Sequence, residues 1–284
     1  MVKANGTIFG SEQFSNGEVS YKPFQVNTDI NRIDLYFQDN KDITNMLFAV
    51  EYIRSKEPES KIYLYMLYVP YGRMDREIDG YVFSLEMFAN IINRCDIDVI
   101  YTLDNHTEEI KNKIHNVVEL NGLLNRYVDE VIKRYQPDCL MFPDKGAMAR
   151  YPKLLDACIS GRVPYFYGNK ERVLDDSRLI KFYEVYDNEI SLVGKKILII
   201  DDICCTGGTV LEAAQILVRK GVSEIALWVP HCENNVIKYP IVREDSPVPK
   251  IYTSDTIIRN YEIPEIEVIP LDTLMSREEI ETME

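Results

Sequence analysis

Long apolar runs are missing from this chain of 284 residues. None approaches the ~20 residues that cross a bilayer, and the longest candidates, 62–69 and 197–200, have the length of buried strands. The opening residues, 1–6, lack the apolar core of a secretion signal, so a cytoplasmic protein with no membrane partner is expected. Cysteine is sparse and unpatterned: six residues, at 95, 139, 158, 204, 205 and 232, form no C-x-x-C pair. They read as reduced thiols rather than a disulfide frame. The three histidines, at 106, 115 and 231, have no zinc-ligand spacing. All nine of these residues read as structural, with His106 alone kept open. Positive charge is also short, with 32 Lys and Arg against 46 Asp and Glu, a net charge of −14. That balance argues against nucleic-acid binding, which needs clustered basic residues. It also gives no long-range steering of anions, so any anionic ligand must be held locally.

What the chain does contain is an alternation of strand and helix signals. Residues 62–69 are β-rich and end at Pro70. Ser84 is placed to cap a helix whose Leu85, Phe88, Ala89 and Ile92 share a face. Strands follow at 98–103, 139–142, 177–186, 196–200, 224–229, 251–253 and 267–269, with helices after Gly122, through Leu154 and Leu155, and over 209–220, closed by Gly221. This order predicts an α/β protein with mostly parallel sheets flanked by helices. The break near Asn121-Gly122 divides it into domains 1–122 and 123–284.

The most informative segment is 196–214. An aliphatic strand ends in Asp201-Asp202, and Thr206-Gly207-Gly208-Thr209 then opens a helix. The carboxyl end of a parallel strand is where ligands of α/β folds sit. Backbone N–H groups at a helix start bind phosphate, and glycine lets the backbone approach it. Thr206 and Thr209 add hydroxyl donors, while Asp201 and Asp202 can accept from the 2′- and 3′-hydroxyls of a ribose. The plain alternative is a glycine turn with a capping threonine and two exposed acids.

This segment resembles the phosphoribosyl-diphosphate motif shared by type I phosphoribosyltransferases and ribose-phosphate diphosphokinases (PRPP synthetases). Further motifs separate the two. F-S-N-G-E at 14–18, V-P-Y-G-R-M-D-R at 69–76, L-D-N-H at 103–106, F-P-D-K-G at 142–146, N-K-E-R at 169–172, His231 and T-S-D-T at 253–256 stand in the order and spacing of the diphosphokinases. The resemblance implies two similar type I phosphoribosyltransferase-like domains, the first on the ATP side and the second on the sugar-phosphate side. It further implies a homo-oligomer whose adenine pocket is shared between subunits. Phe14 and Glu18 would hold adenine, Arg73, Asp75 and His106 would bind ATP, and His106 and Asp144 would hold Mg²⁺. Lys170 and Arg172, in a flexible loop, would act with Arg73 on the transferring diphosphate. Asp201, Asp202, Cys205, Thr206, Gly207, Gly208 and Thr209 would bind the phosphorylated ribose. Taken singly, His106 also reads as an ordinary polar residue, Lys170 and Arg172 as surface charges, and Phe14 as core.

Three departures from the diphosphokinase pattern stand out. Cys205 replaces an Asp, Met74 replaces a Gln, and 78–82 lacks basic residues that read phosphate and ADP in regulated members. The first removes a charge beside the sugar's phosphate end. The implied reaction is transfer of the β,γ-diphosphate of ATP to the C1 hydroxyl of ribose 5-phosphate. The alternatives are the same transfer to ADP-ribose, which serves NAD⁺ rebuilding, and a non-enzymatic regulatory subunit. A phosphoribosyltransferase is disfavoured by the ATP-side motifs.

Overall fold

The computed structural model describes residues 1–10, 12–78, 80–151, 163–175, 178–186, 191–258 and 263–274, with backbone alone over 169–186. The chain forms two compact units that divide between Asn121 and Gly122. Among the described residues no helix is long and apolar enough to cross a membrane.

The first unit contains β1 (Val2–Ala4), β2 (Thr7–Phe9), β3 (Glu12–Gln13), β4 (Val19–Ser20), β5 (Ile30–Leu35), α1 (Asn40–Lys56), β6 (Lys61–Tyr65), α2 (Ser84–Ile92), β7 (Val99–Thr102), α3 (Glu109–Lys113) and β8 (Val117–Glu119). Six strands form one sheet in the order β2-β1-β5-β6-β7-β8. The run from β5 to β8 is parallel, and β1 and β2 add an antiparallel edge. α1 starts at Asp39, whose side chain accepts from the Lys41 N–H, and it buries Ile43, Met46, Ala49, Val50 and Ile53. α2 buries the expected face of Leu85, Phe88, Ala89 and Ile92, but Phe83 is its N-cap and Ser84 makes no cap bond to the helix. The strand expected over 62–69 leaves the regular ladder after Tyr65, because Met66 N donates to Tyr101 O and Leu67 O accepts from Leu103 N. Met66, Leu67 and Val69 stay buried there, so the apolar run reports burial correctly and strand length too generously.

The second unit runs through α4 (Asn121–Tyr135), β9 (Cys139–Phe142), α5 (Lys145–Ala149), β10 (Tyr165–Asp175), β11 (Arg178–Tyr186), β12 (Lys196–Ile200), β13 (Ile203–Cys204), α6 (Gly208–Arg219), β14 (Glu224–Val229), β15 (His231–Cys232), β16 (Lys250–Ser254), β17 (Ile266–Ile269) and α7 (Leu271–Leu274). Its seven-stranded sheet has the order β11-β10-β9-β12-β14-β16-β17. Only the β10–β11 pair is antiparallel. β12 lies near the middle, and its Ile197, Leu198, Ile199 and Ile200 are fully buried. A strand covered on both faces reads as a continuous aliphatic run, which is why this one was plain in the sequence. α6 ends with Gly221 at φ +84 and with Val222 N donating to Leu217 O, a glycine-closed terminus. The helix expected through Leu154 and Leu155 lies outside the described residues.

Buried polar groups in the first unit are paired with care at Asn31 on β5, which is fully buried. Its carboxamide oxygen accepts from Asn5 Nδ2 and Asn27 N, and its nitrogen donates to Asn27 O and Ser60 Oγ. Asn31→Ala would strand these partners in an apolar setting. It is expected to lower unfolding stability by about 2–3 kcal/mol, read from urea unfolding; a loss below about 0.5 kcal/mol would mean that water replaces the amide.

Candidate active site

At the tip of β12, Asp201 and Asp202 bring two carboxylates together where little water reaches. Asp202 is buried and Asp201 half-buried. They are held by Arg150. Its Nη1 lies 2.6 Å from Asp202 Oδ2, and its Nη2 donates to Asp201 Oδ1 at 3.3 Å. Asp202 N also donates to Asp201 Oδ1 at 3.0 Å, and Tyr151 Oη donates to Asp201 O at 3.3 Å. Arg150 arrives by a short route. β9 pairs with β12, and after β9 Asp144 caps α5 by accepting from Ala147 N at 2.8 Å. Arg150 is the C-cap of that one-turn helix. Burial, and then the Asp202 charge, push the Asp201 carboxyl well above the ordinary aspartate range, and Arg150 opposes the rise.

The phosphate loop follows directly. Gly207 has φ +72 and is the N-cap of α6, and Leu211 N donates to Gly207 O. A Cβ at this position would lie 2.5 Å from Ile241 Cδ1 and 2.8 Å from Ile241 Cβ. Glycine is therefore required twice, for its dihedral and for its missing side chain. Gly208 N donates to Thr206 Oγ1 at 3.4 Å, and Thr206 and Gly208 are exposed. β13 pairs in parallel with β15, placing Cys204 opposite Cys232. One step on, the Cys205 thiol donates to Glu233 Oε1 at 2.8 Å. The charge that the sequence lacks at Cys205 is thus supplied in space by Glu233. The Cys232 thiol is pushed well up by its hydrogen bond with Cys204, by burial, and by the nearby Glu233 carboxylate. His231 is a satisfied buried histidine, with Nδ1 2.9 Å from Thr256 Oγ1. Ser254 Oγ and Thr256 Oγ1 both donate to Pro230 O, so the T-S-D-T segment and His231 meet beneath the loop.

In the first unit two further motifs come together. Tyr71 has φ +63, and Gly72 is buried so tightly that an added Cβ would lie 3.3 Å from Ile110 Cδ1 and 3.9 Å from His106 Cβ. The turn carrying exposed Arg73 and half-buried Asp75 therefore packs against the loop of exposed His106. That loop is fixed by Asp104 at φ +45 and by Asn105 N donating to Glu119 Oε1 at 2.8 Å. Lys111 Nζ pairs with the other oxygen of Glu119, and the bond raises the lysine's pKa. The Asn105 carboxamide is buried without a hydrogen-bond partner among the described residues. Phe14 and Glu18 lie in the β3–β4 hairpin. Glu18 Oε2 accepts from Asn16 Nδ2, and the Phe14 ring is 60% exposed, so it is not core in its own unit.

Lys170 and Arg172 stand on β10, opposite Tyr183 and Lys181 of β11, rather than in an irregular loop; their side chains lie outside the described residues. The expected metal residues fall in different units, His106 in the first and Asp144 in the second. Among the described residues no group of three or more His, Cys, Asp or Glu is arranged around a metal. His106 is exposed, and Asp144 Oδ1 is engaged with Ala147 N. Sequence reasoning missed Arg150, Glu119, Ile241 and Glu233. Each is recruited by strand pairing or packing across a gap in sequence, and none carries a local pattern that marks it.

The phosphoribosyl transferase domain family matches residues 106–263. The ribose-phosphate pyrophosphokinase of Sulfurisphaera tokodaii is 28% identical over 199 residues, 69% of this chain and 66% of that protein. The chain thus spans about two thirds of that relative's length. The enzyme of the same name from Thermoplasma acidophilum is 28% identical over 225 residues, covering 77% and 73%. That of Campylobacter jejuni is 24% identical over 274 residues, covering 92% and 82%. The crystal structure of phosphoribosylpyrophosphate synthetase from Mycobacterium smegmatis superposes with a TM-score of 0.71 at 18% identity, over 93% of this chain and 87% of that one. The fold is therefore that of two type I phosphoribosyltransferase-like domains.

Two outcomes follow from the loop and the acid pair. Gly207→Ala forces a left-handed alanine into Ile241, and a stability loss of about 2–4 kcal/mol is expected, larger than a purely functional loop position would show. Ile241→Ala in the same chain should recover part of it by relieving the overlap; thermal unfolding of the three proteins decides. For Arg150→Met the sign comes from Asp201. Its folded pKa is raised, so the folded state binds more protons, and stability falls as pH rises from the ordinary aspartate value of about 4. Without Arg150 the rise is larger. The deficit of the variant should be about 3 kcal/mol at neutral pH and shrink on acidification. A deficit independent of pH would assign Arg150 to packing alone.

Proposed function

The chain belongs to the phosphoribosyl transferase domain family, and on that premise we propose that it is an ATP-dependent diphosphokinase of the ribose-phosphate pyrophosphokinase type. It moves the β,γ-diphosphate of ATP to the C1 hydroxyl of ribose 5-phosphate, giving phosphoribosyl diphosphate and AMP. The observation that carries this reading is the acid pair at the β12 tip, pinned by Arg150 and followed at once by the Gly207 turn into α6. In this reading the pair accepts from vicinal sugar hydroxyls, and the turn at the start of α6 offers backbone N–H groups to a phosphate.

In this reading residues 206–209 hold the 5-phosphate, while Asp201 and Asp202 fix the ribose so that its C1 oxygen faces the β-phosphorus. The sugar oxygen–Pβ bond forms, the bond from Pβ to the oxygen it shares with Pα breaks, and the anomeric hydroxyl gives up its proton. Arg73 pairs with the polyphosphate through its planar fork. His106 and Asp144, with the ATP phosphates, would hold Mg²⁺, which when bound would supply charge neutralisation. Lys170 and Arg172 stabilise charge that develops during transfer. The exposed Phe14 ring supports adenine stacking at a neighbouring subunit of a homo-oligomer. The reaction belongs in the cytoplasm, where ATP is the donor.

Mass spectrometry after incubation with ATP, Mg²⁺ and either ribose 5-phosphate or ADP-ribose tests the proposal. AMP and a sugar 1-diphosphate are expected, and a chain that consumes ATP with neither acceptor would be a regulatory subunit instead. Replacing Lys170 or Arg172 by Ala is expected to lower kcat by roughly a hundredfold with little change in KM. A raised KM at constant kcat would restrict these residues to ground-state binding.

A further inference from the structure

The turn that carries His106 is held from the neighbouring strand. β7 and β8 pair in parallel, with Thr102 opposite Glu119. Beyond β7, Leu103 N donates to Leu67 O, and the chain then turns at Asp104, whose φ of +45 lies in the left-handed region. Asn105 N donates to Glu119 Oε1 at 2.8 Å, and Lys111 of α3 pairs with Glu119 Oε2. Both oxygens of this half-buried carboxylate are thus engaged, one by the turn and one by the helix that follows it. Asn105 is 9% exposed, and its carboxamide makes no hydrogen bond among the described residues. An aspartate in the left-handed region and a buried, unpaired amide are each unfavourable. Both stand directly before His106. Such conformations persist where the surroundings over-determine them, and they cluster at functional sites.

We infer that Glu119 is a positioning residue: bonded to Asn105 N and aimed by Lys111, it sets the backbone from which the His106 imidazole meets the nucleotide. This rests on the proposed ATP role of His106 and Arg73, and deepens it. The turn also backs on Gly72, where an added Cβ would lie 3.9 Å from His106 Cβ, so its place sets the spacing between His106 and the turn of Arg73. A displacement of about 1 Å can cost roughly a hundredfold in rate at such a site. Charge works in the opposite sense. A carboxylate near a bound anion repels it, so loss of the Glu119 charge alone would tighten ATP. Weaker binding on removal of Glu119 therefore reports position.

Calorimetric titration of the full chain with ATP and Mg²⁺, without a sugar acceptor, tests this, with thermal unfolding of each variant alongside. Glu119→Ala is expected to weaken binding by about tenfold, mid-range for residues coupled through a shared contact. Glu119→Gln keeps an oxygen for Asn105 N and removes the charge, so it should bind within about threefold of wild type or more tightly. In a His106→Ala background, Glu119→Ala should change binding by less than about twofold, because a residue that acts through His106 then has nothing to act on. If the alanine variant does not fold, Glu119→Asp takes its place. It keeps the charge, draws the oxygens back by one carbon, and should weaken binding by about threefold or more only where His106 is present. Wild-type binding by Glu119→Ala, an equal loss in both backgrounds, or a Glu119→Gln variant as weak as Glu119→Ala overturns the inference and leaves the proposed function standing. A folded wild-type chain that binds no ATP, or a His106→Ala variant that binds it as wild type does, overturns the ATP role of His106 and the inference with it.

Discussion

Two neighbouring carboxylates at the end of a buried strand repel one another and have lost much of their water, so holding both ionised requires a cation close by. Arg150 supplies that cation. It does so because β9 lies next to β12 and because Asp144 caps a single helical turn that ends at Arg150. The acid pair, the cap and the strand order are thus one arrangement. Asp144 had been read as a metal residue. Its Oδ1 is engaged with Ala147 N, so part of its job is to aim Arg150, whatever else it holds.

The phosphate loop depends on a second constraint, steric rather than electrostatic. Ile241 sits where a side chain on Gly207 would be, and this contact presses the turn against the body of its unit. The thiol–carboxylate pair of Cys205 and Glu233 grips the other side of the loop. Ile241 and the Cys205–Glu233 pair are thus two contacts that flank the backbone from Thr206 to Gly208.

The sheets were legible because β12, β14 and their neighbours are buried on both faces and read as aliphatic runs. The phosphate turn was legible because two acids, two glycines and two threonines crowd a strand–helix junction. Less legible were the places where backbone bonds leave the ladder, as after Tyr65, and where a cap shifts by one residue, as from Ser84 to Phe83. Those outcomes are set by tertiary partners rather than by local preference. The same holds for chemistry. Glu233 lies 28 positions from Cys205 and Arg150 lies 51 from Asp201, so only the sheet reveals that a missing carboxylate has a substitute and that the acid pair has a counter-ion.

The overall charge then takes on a specific meaning. A chain with net charge −14 cannot draw in an anion by its general field. Both terminal nitrogens of Arg150 are engaged with Asp201 and Asp202, so its charge is matched locally by the acid pair. In the proposed reading, attraction for a sugar phosphate comes from backbone N–H groups at the start of α6. Such dipoles fall off quickly with distance and act best on a phosphate seated directly on them. Binding built this way is selective for a phosphate that fits the turn rather than for total charge.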